Sequence, residues 1–259
     1  MPFAKINNID LYYEVHGEGP ALVLAHGAGG SHLSWWQQVP VLSRTFTCVT
    51  FDHRGFGCSR DLPDGPGPKA FVQDLAGLLD HLGIQKAALA GQSMGGWTVL
   101  GFASAYPERV SALILCDTTG GVDDPEVTKQ HANLQDLSKG SLPQILARAY
   151  SARFPERDPA RCFLYQQISA LNTHVPATLV PTLLGVRHKI ETIVQRKIPT
   201  LLLVGEEDVL TSPQIMEKIR HRIPQARLVK VPGAGHSVYF ELPEVFNQIV
   251  LGFLREFVL

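Results

Sequence analysis

A glycine-flanked serine lies in the stretch Ala87-Ala88-Leu89-Ala90-Gly91-Gln92-Ser93-Met94-Gly95, between an apolar run and a helix-like segment that reaches Ala105. The apolar run predicts a buried strand, and the small residues beside the serine permit a sharp turn from that strand into the helix. A turn of this kind holds the serine hydroxyl clear of the sheet edge. The placement of the Gly-x-Ser-x-Gly pattern, rather than the pattern alone, therefore makes Ser93 a candidate nucleophile.

Apolar runs on both sides of this turn predict the other strands of the same sheet. Several of them are apolar throughout instead of alternating, which is expected of parallel strands that helices cover on both faces. Asn7-Asn8, between the first two runs, suits a tight hairpin. We therefore predict a doubly wound α/β fold with a mostly parallel, eight-stranded sheet. The predicted strands are residues 3–6, 11–15, 21–25, 46–51, 87–90, 112–116, 200–204 and 227–231.

The strand-like runs stop between Gly121 and Lys197, and a helical spacing of apolar residues takes their place. This change predicts a helical cap over residues 122–196, inserted into a core formed by residues 1–121 and 197–259. Ligands in open α/β sheets bind at the carboxyl ends of the strands, so a cap there would roof the site and exclude water. The spaced apolar residues are Leu142, Ile145, Leu146, Ala149 and Tyr150, followed by Leu183, Val186, Ile190, Ile193 and Val194.

The charge composition argues against a nucleic-acid partner. The 23 Lys and Arg residues nearly balance the 24 Asp and Glu residues, which gives a formal net charge of -1 and no basic field. The first residues lack the charged start and apolar stretch of a secretory signal, and no apolar run is long enough to span a bilayer. We expect a soluble, cytoplasmic protein without a membrane partner, and the sequence leaves homo-oligomer formation open.

The motifs give no reason to expect a metal or a cofactor. The four cysteines are widely spaced without a Cys-x-x-Cys pair, which disfavours both a zinc site and a disulfide framework. The chain also lacks a Gly-x-Gly-x-x-Gly motif after a strand, a Walker loop and a His-Glu-x-x-His helix. We therefore expect neither a nucleotide cofactor nor a metal ion.

A serine hydroxyl is a poor nucleophile at neutral pH, so it needs a base to accept its proton and an acid to orient that base. His236 is the predicted base, because it follows the last predicted strand in a loop with two glycines. Asp208 is the predicted acid, because it follows a strongly apolar strand at a turn-like glycine. Asp117, at the end of another predicted strand, is the alternative acid.

A tetrahedral intermediate also needs hydrogen-bond donors for its oxyanion, and each donor contributes about 3 kcal/mol in comparable sites. Met94, directly after the serine, begins the predicted helix and offers its backbone N–H where the helix dipole favours negative charge. Ala28 follows a predicted strand within His26-Gly27-Ala28-Gly29-Gly30, where small neighbours allow close approach to a substrate. We predict Ala28 and Met94 as the two oxyanion donors.

Five motifs in this order resemble the α/β-hydrolase fold superfamily. They are His26-Gly27, Asp52-His53-Arg54-Gly55-Phe56-Gly57-Cys58-Ser59, Gly91-Gln92-Ser93-Met94-Gly95-Gly96, Gly205-Glu206-Glu207-Asp208 and Gly235-His236. The resemblance covers nearly the whole chain outside the predicted cap, and the order serine, acid, histidine is that of this fold. It implies a triad of Ser93, Asp208 and His236, with Ala28 and Met94 as the oxyanion hole. It also implies that the 52–59 segment is a structural loop beside the site.

The resemblance also narrows the expected chemistry. Family members that open epoxides or remove halide use an aspartate where this chain has Ser93, so acyl chemistry is expected. The chain resembles small bacterial carboxylesterases and enol-lactone hydrolases, which predicts hydrolysis of a small carboxylic ester or lactone through an acyl-enzyme. Two alternatives stay open: a carbon–carbon bond hydrolase of aromatic degradation, and a ligand-sensing protein of the same fold with slow turnover.

Aromatic residues near the predicted site have two expected roles. Trp36 and Trp97 are predicted to pack in the core, because aromatic residues near helix starts usually fill the space between helix and sheet. The resemblance implies that Asp52 and Arg54, in the 52–59 loop, are scaffold residues. The candidates for substrate contact in the cap are Tyr150, Phe154, Phe163 and Tyr165.

Overall fold

Eight strands form a single, mostly parallel sheet, as predicted. The structure is a computed structural model that describes residues 2–129, 148–176 and 178–259. The strands are β1 (Phe3–Ile6), β2 (Ile9–His16), β3 (Ala21–Ala25), β4 (Thr47–Phe51), β5 (Ala87–Gln92), β6 (Val110–Cys116), β7 (Thr200–Gly205) and β8 (Arg227–Val231). They lie in the order β1-β2-β4-β3-β5-β6-β7-β8. The β1–β2 and β2–β4 pairs are antiparallel, and every other neighbouring pair is parallel.

Helices pack on both faces of this sheet. The α-helices are α1 (Val39–Leu42), α2 (Phe71–His81), α3 (Met94–Ala105), α4 (Phe154–Arg157), α5 (Pro159–Ala170), α6 (Leu179–Gly185), α7 (Glu191–Gln195), α8 (Pro213–Arg222), α9 (Val238–Glu241) and α10 (Pro243–Phe257). Short 3-10 helices cover His32–Trp35, Gly67–Ala70 and Pro107–Arg109. Within the described ranges, no helix combines the length and the apolar character needed to cross a membrane.

Alternate residues of the central strands enter two separate hydrophobic cores. In β3, Val23 and Ala25 pack in the core that contains residues of α2 and α3, whereas Leu22 and Leu24 pack in the core that contains residues of α1 and α10. Successive side chains of a strand point to opposite faces, so a strand with helices on both faces must be apolar at every position. Each fully buried leucine contributes about 1.5–3 kcal/mol to the hydrophobic stabilisation. This arrangement explains why the central strands were predictable as continuous apolar runs.

The predicted hairpin between β1 and β2 is present. Asn7 has a φ of 45° and Asn8 has a φ of 66°, the left-handed conformation that a two-residue type I′ turn requires at both central positions. Asparagine tolerates this conformation better than most residues. The hairpin therefore follows from the local sequence alone.

The described residues between β6 and β7 include helices α4 to α7, further helical residues at 125–129, and loops. Gly121, in the loop that follows β6, has a φ of 70°, and a Cβ at this position would lie 2.4 Å from Nε1 of Trp97. The exit from the sheet thus requires glycine. Of the spaced apolar residues predicted to form the cap, Leu142, Ile145 and Leu146 lie outside the described residues. The division into a core of residues 1–121 and 197–259 and a cap of residues 122–196 stays a prediction.

Candidate active site

Ser93 lies at a strained turn between β5 and α3. Its backbone has a φ of 48° and a ψ of -116°, and such a conformation costs a non-glycine residue roughly 1–3 kcal/mol and clusters at functional sites. A Cβ on Gly91 would lie 2.5 Å from the carbonyl oxygen of Gly95, and a Cβ on Gly95 would lie 2.1 Å from that of Ala25. Both glycines of the motif are therefore required by close backbone approach. The sharp turn predicted from the sequence is present.

A continuous hydrogen-bonded chain links Ser93 to His236 and His236 to Asp208. Ser93 Oγ lies 2.8 Å from His236 Nε2, and His236 Nδ1 lies 2.9 Å from Asp208 Oδ2. The three residues follow β5, β8 and β7, so they share the carboxyl edge of the sheet. A proton on Nδ1, donated to the carboxylate, leaves Nε2 free to accept the serine proton. The structure thus brings the three predicted residues together in an arrangement that can move a proton.

The loop after β7 orients the Asp208 carboxylate. Its Oδ1 accepts hydrogen bonds from the backbone N–H groups of Leu210 and Thr211, both at 2.8 Å. These two donors hold one oxygen, so the other oxygen, Oδ2, faces His236. The carboxylate is buried and has a partner for each oxygen, which fixes its rotation about the side chain.

Asp117, the alternative acid, has a different set of partners. Its carboxylate accepts hydrogen bonds from the backbone N–H of Gly205 at 2.9 Å and from that of Val238 at 3.2 Å. Burial, together with the nearby charge of Asp208, raises the pKa of Asp117 well above its usual range. Asp117 therefore links the end of β7 to the start of α9, and Asp208 is the carboxylate that accepts a hydrogen bond from the His236 ring.

Carboxylates around His236 favour its protonated form. Burial lowers the pKa of His236, but the charge of Asp208, the hydrogen bond to it, and the charges of Asp117 and Glu241 raise the pKa above the ordinary histidine value. The imidazolium that forms when Ser93 loses its proton is stabilised by these neighbours. The neutral ring, which can accept a proton, predominates only above the raised pKa.

The glycine loop after β3 lies against the Ser93 turn. A Cβ on Gly27 would lie 3.2 Å from the Cβ of Ser93, so the backbone that leads to Ala28 passes beside the serine. Met94 is the first residue of α3, where a backbone N–H has no acceptor within the helix and the helix dipole favours an anion. The backbone of both predicted oxyanion donors is therefore near the serine, and their role as donors stays a prediction.

Asn172, in the segment after α5, ties this glycine loop to a second loop. Its Nδ2 donates to the carbonyl oxygens of Gly29 at 2.8 Å and Gly30 at 3.1 Å. Its Oδ1 accepts from the backbone N–H of Gly57 at 2.9 Å. One side chain thus fixes the loop that carries Ala28. The sequence analysis missed Asn172, because no motif marks an isolated asparagine that is far from its partners along the chain.

Two other residues that the sequence analysis did not select hold the backbone around His236. Gln92 donates from Nε2 to the carbonyl oxygen of His236 at 2.7 Å. The Glu241 carboxylate accepts from the N–H of Gly235 at 2.8 Å. Gln92 occupies a variable position of the Gly-x-Ser-x-Gly pattern, and Glu241 lies in a short helix after the histidine. Only tertiary packing shows that both side chains are buried.

A small polar cleft lies beside the glycine loop. Its free volume is about 10 Å³, which is room for about one water molecule. The walls combine the backbone of residues 27–30 with Ser34, Tyr165 and Tyr239. Burial raises the pKa of Tyr165 to about 12, so its hydroxyl stays protonated and can donate or accept a hydrogen bond. Of the four residues predicted to contact substrate, Tyr165 lines this cleft, while Phe163 is 62% exposed.

The 52–59 segment forms a buried polar network beneath the site. Asp52 accepts hydrogen bonds from Nδ1 of His32 at 2.8 Å and from the backbone N–H of Cys58 at 2.7 Å. Arg54 donates to both carboxylate oxygens of Asp74. These partners all belong to the scaffold, in agreement with the predicted structural role of Asp52 and Arg54.

The prediction that Trp36 packs in the core is wrong, whereas Trp97 does pack there. Trp36 is 43% exposed, while the neighbouring Trp35 is fully buried. Adjacent positions at the end of a 3-10 helix point in different directions, so only one of the two tryptophans can face the sheet. Trp97 lies in a buried cluster with Met94 and Phe56.

The described residues contain neither a metal-binding cluster nor a disulfide bond. No group of three or more His, Cys, Asp or Glu side chains in this part of the chain is arranged to hold a metal ion. All four cysteines are free thiols; Cys58 is exposed, and Cys48, Cys116 and Cys162 are buried.

Comparisons with known proteins agree with this architecture. A family model described as alpha/beta hydrolase fold matches residues 20–243. A protein from Azorhizobium caulinodans, provisionally named carbamate hydrolase RutD, is 30% identical over 273 aligned residues, which cover 99% of each chain. The solved structure of a thermophilic esterase from Thermogutta terrifontis has a TM-score of 0.81 and 31% identity over 96% of this chain and 94% of that chain. An enol-lactonase from Burkholderia xenovorans LB400 has a TM-score of 0.82 and 27% identity over 98% of this chain and 100% of that chain.

Proposed function

The chain belongs to the α/β-hydrolase fold family, and on that basis we propose that it is a serine hydrolase that cleaves a small carboxylic ester or lactone through an acyl-enzyme. The observation that carries the proposal is the hydrogen-bonded chain from Ser93 through His236 to Asp208. The similar structures named as an esterase and an enol-lactonase support this class of substrate.

The first half of the reaction acylates the serine. As Ser93 Oγ attacks the carbonyl carbon, its proton passes to His236 Nε2, which lies 2.8 Å away. Asp208 accepts the Nδ1 proton in a hydrogen bond and stabilises the imidazolium. The N–H groups of Ala28 and Met94 donate to the oxyanion. The imidazolium then gives its proton to the leaving alkoxide, and the carbonyl forms again as an ester of Ser93.

The second half of the reaction frees the serine. His236 Nε2 takes a proton from water, and the resulting hydroxide attacks the acyl-enzyme through a second tetrahedral intermediate. The same backbone donors hold its oxyanion. When that intermediate collapses, the proton on His236 returns to Ser93 Oγ and the acid product leaves. For a lactone, the alcohol and the acid are parts of one product.

We propose that a small acyl substituent enters the cleft beside the glycine loop, because Ala28, the proposed oxyanion donor, lines that cleft. A free volume of about 10 Å³ accommodates roughly one heavy atom without movement of the walls. A carbamate is the second candidate substrate, because its amino group is that small and can bond to the hydroxyls of the cleft. The whole-length similarity to a protein provisionally named carbamate hydrolase favours its inclusion.

A substrate panel tests the proposal. The turnover of short-chain nitrophenyl esters, lactones, aryl carbamates and vinylogous diketones should be measured with the wild type and with Ser93→Ala. We expect turnover of acetyl esters or small lactones, a decline as the acyl chain lengthens, and loss of turnover in the variant. Turnover of the diketones alone would assign carbon–carbon bond hydrolysis. Stoichiometric acylation with turnover over hours would assign the ligand-sensing alternative.

A further inference from the structure

Glu241 is a buried carboxylate that the proposed chemistry does not use. It lies at the end of α9 and is 2% exposed. One oxygen accepts from the N–H of Gly235 at 2.8 Å, and the other accepts from the N–H of Ser151 at 3.0 Å and from the Ser151 hydroxyl. Gly235 directly precedes His236. A single carboxylate therefore joins the loop that carries the histidine to the segment that leads into α4.

The two segments that Glu241 joins also pack directly on each other. A Cβ on Gly235 would lie 2.4 Å from the backbone nitrogen of Ser151, so there is no space between them. Arg157 of α4 donates from Nη1 to the carbonyl oxygen of Gly233 at 2.7 Å, and its Nη2 lies 3.6 Å from the Glu241 carboxylate. The histidine loop is thus held at two points by the segment around α4.

Stability alone does not account for a charged group in this position. Burial of a carboxylate carries a desolvation cost, and apolar side chains of similar volume often replace buried ionic groups without loss of stability. Burial raises the pKa of Glu241, while the hydrogen bonds from Ser151 and Gly235 and the charge of Arg157 oppose the rise. What a carboxylate offers that an apolar group does not is two fixed acceptors that point in different directions.

We propose that Glu241 is a positioning residue for His236. Its carboxylate fixes the backbone of Gly235, and so the distance between His236 Nε2 and the Ser93 hydroxyl, and it makes that distance depend on the seating of residues 148–157. The inference rests on the proposed function, because it concerns the same base. The hydrogen bonds of Glu241 run to Ser151 and Gly235, so it acts on His236 through the backbone and through its charge.

Glu241→Gln tests the proposal, with Glu244→Gln as a matched control. Glu244 is exposed on α10, so the control makes the same chemical change outside the contact. A glutamine at 241 presents an amide NH₂ to a backbone N–H, and one of the two segments loses its acceptor. We expect kcat for ester hydrolysis to fall roughly ten- to hundredfold, with KM near the wild-type value. The control should match the wild type.

A titration separates positioning from general destabilisation. The carboxyl groups that act on the pKa of His236 are those of Asp208, Asp117 and Glu241. Loss of the Glu241 charge should lower the pKa of His236, measured by NMR of histidine-labelled protein without substrate. Glu241→Asp keeps the charge but does not reach both segments. It should keep the wild-type pKa and still have a lowered kcat.

If the folded Glu241→Gln protein has both a lowered kcat and a lowered pKa of His236, the proposal is supported. Any other combination, including a lower melting temperature alone, overturns it. If this variant does not fold, Ser151→Ala, which removes one hydrogen bond, replaces it: a lowered kcat at unchanged KM supports the proposal, and wild-type kcat overturns it. A wild type whose Ser93 does not react with a fluorophosphonate contradicts the proposed function instead.

Discussion

Replacement of Asp208 by asparagine should stop catalysis by forcing the wrong tautomer of His236. The backbone N–H groups of Leu210 and Thr211, both 2.8 Å from Oδ1, require an acceptor, so the amide oxygen takes that place. The amide NH₂ then occupies the position of Oδ2, 2.9 Å from His236 Nδ1. Because Nδ1 must now accept a hydrogen bond, the ring proton moves to Nε2 and points at the Ser93 hydroxyl.

A histidine with its proton on Nε2 cannot take the serine proton. The same change in the triad of a well-studied serine protease lowers kcat by about 10⁴, which corresponds to about 5 kcal/mol of activation free energy. We expect a similar fall in kcat/KM for a nitrophenyl ester in Asp208→Asn. The rate of fluorophosphonate labelling of Ser93 should fall in parallel, while the melting temperature changes little, because both bonds from the turn are kept.

Asp117→Asn is the matched control for this prediction. The two backbone N–H groups that bond to its carboxylate, those of Gly205 and Val238, need two acceptors, and an amide supplies only one. We expect a loss of about 1–3 kcal/mol in the free energy of unfolding, with activity per folded molecule within about tenfold of the wild type. The reasoning is refuted if Asp117→Asn abolishes hydrolysis while Asp208→Asn retains activity close to the wild type.

Three further predictions follow from the described contacts. The acid limb of kcat/KM should lie above the ordinary histidine pKa of 6.5, because carboxylates raise the pKa of His236; a pH–rate profile with a limb below that value would contradict this. Asn172→Ala should lower kcat by about tenfold and weaken binding of a boronic acid, since the loop of Ala28 loses its tie; wild-type values for both would show that the tie is dispensable. Burial lowers the pKa of His26 from 6.5 to about 4, so as the pH falls the unfolded chain binds a proton at this residue before the folded protein does. The contribution of His26 to the free energy of unfolding is therefore complete above about pH 6.5. It decreases by up to about 3 kcal/mol as the pH falls towards 4. Urea unfolding at several pH values gives the free energy of unfolding of the wild type and of His26→Asn. If that free energy depends on pH equally in both proteins, the result counts against the prediction.

The strands and the serine turn were predictable because their causes are local. A strand buried on both faces must be apolar at each position, as β3 is between Ala21 and Ala25. The turn at Ser93 requires glycine two residues before and after, where a Cβ would meet backbone atoms. The pair Asn7-Asn8 likewise favours the left-handed conformation that both residues adopt in the turn. At these positions, a few neighbouring residues determine the local structure.

The supporting residues were not predictable because their partners are distant in sequence. Asn172 bonds to Gly29 across 143 positions, and Glu241 bonds to Ser151 across 90. Neither spacing leaves a periodic or local pattern. Which of Asp208 and Asp117 bonds to the imidazole depends on the direction in which the loop backbone points each carboxylate, and this direction follows from tertiary structure. Trp36 was predicted to pack in the core because aromatic residues near helix starts usually do so. That rule does not distinguish Trp36 from its buried neighbour, Trp35.

The most direct measurement is to treat the folded protein with a fluorophosphonate and map the modified residue by mass spectrometry. The account predicts a single modified side chain at Ser93, no labelling in Ser93→Ala, and much slower labelling in His236→Asn. Labelling at another residue, or none at all in a protein that still turns over esters, would contradict it.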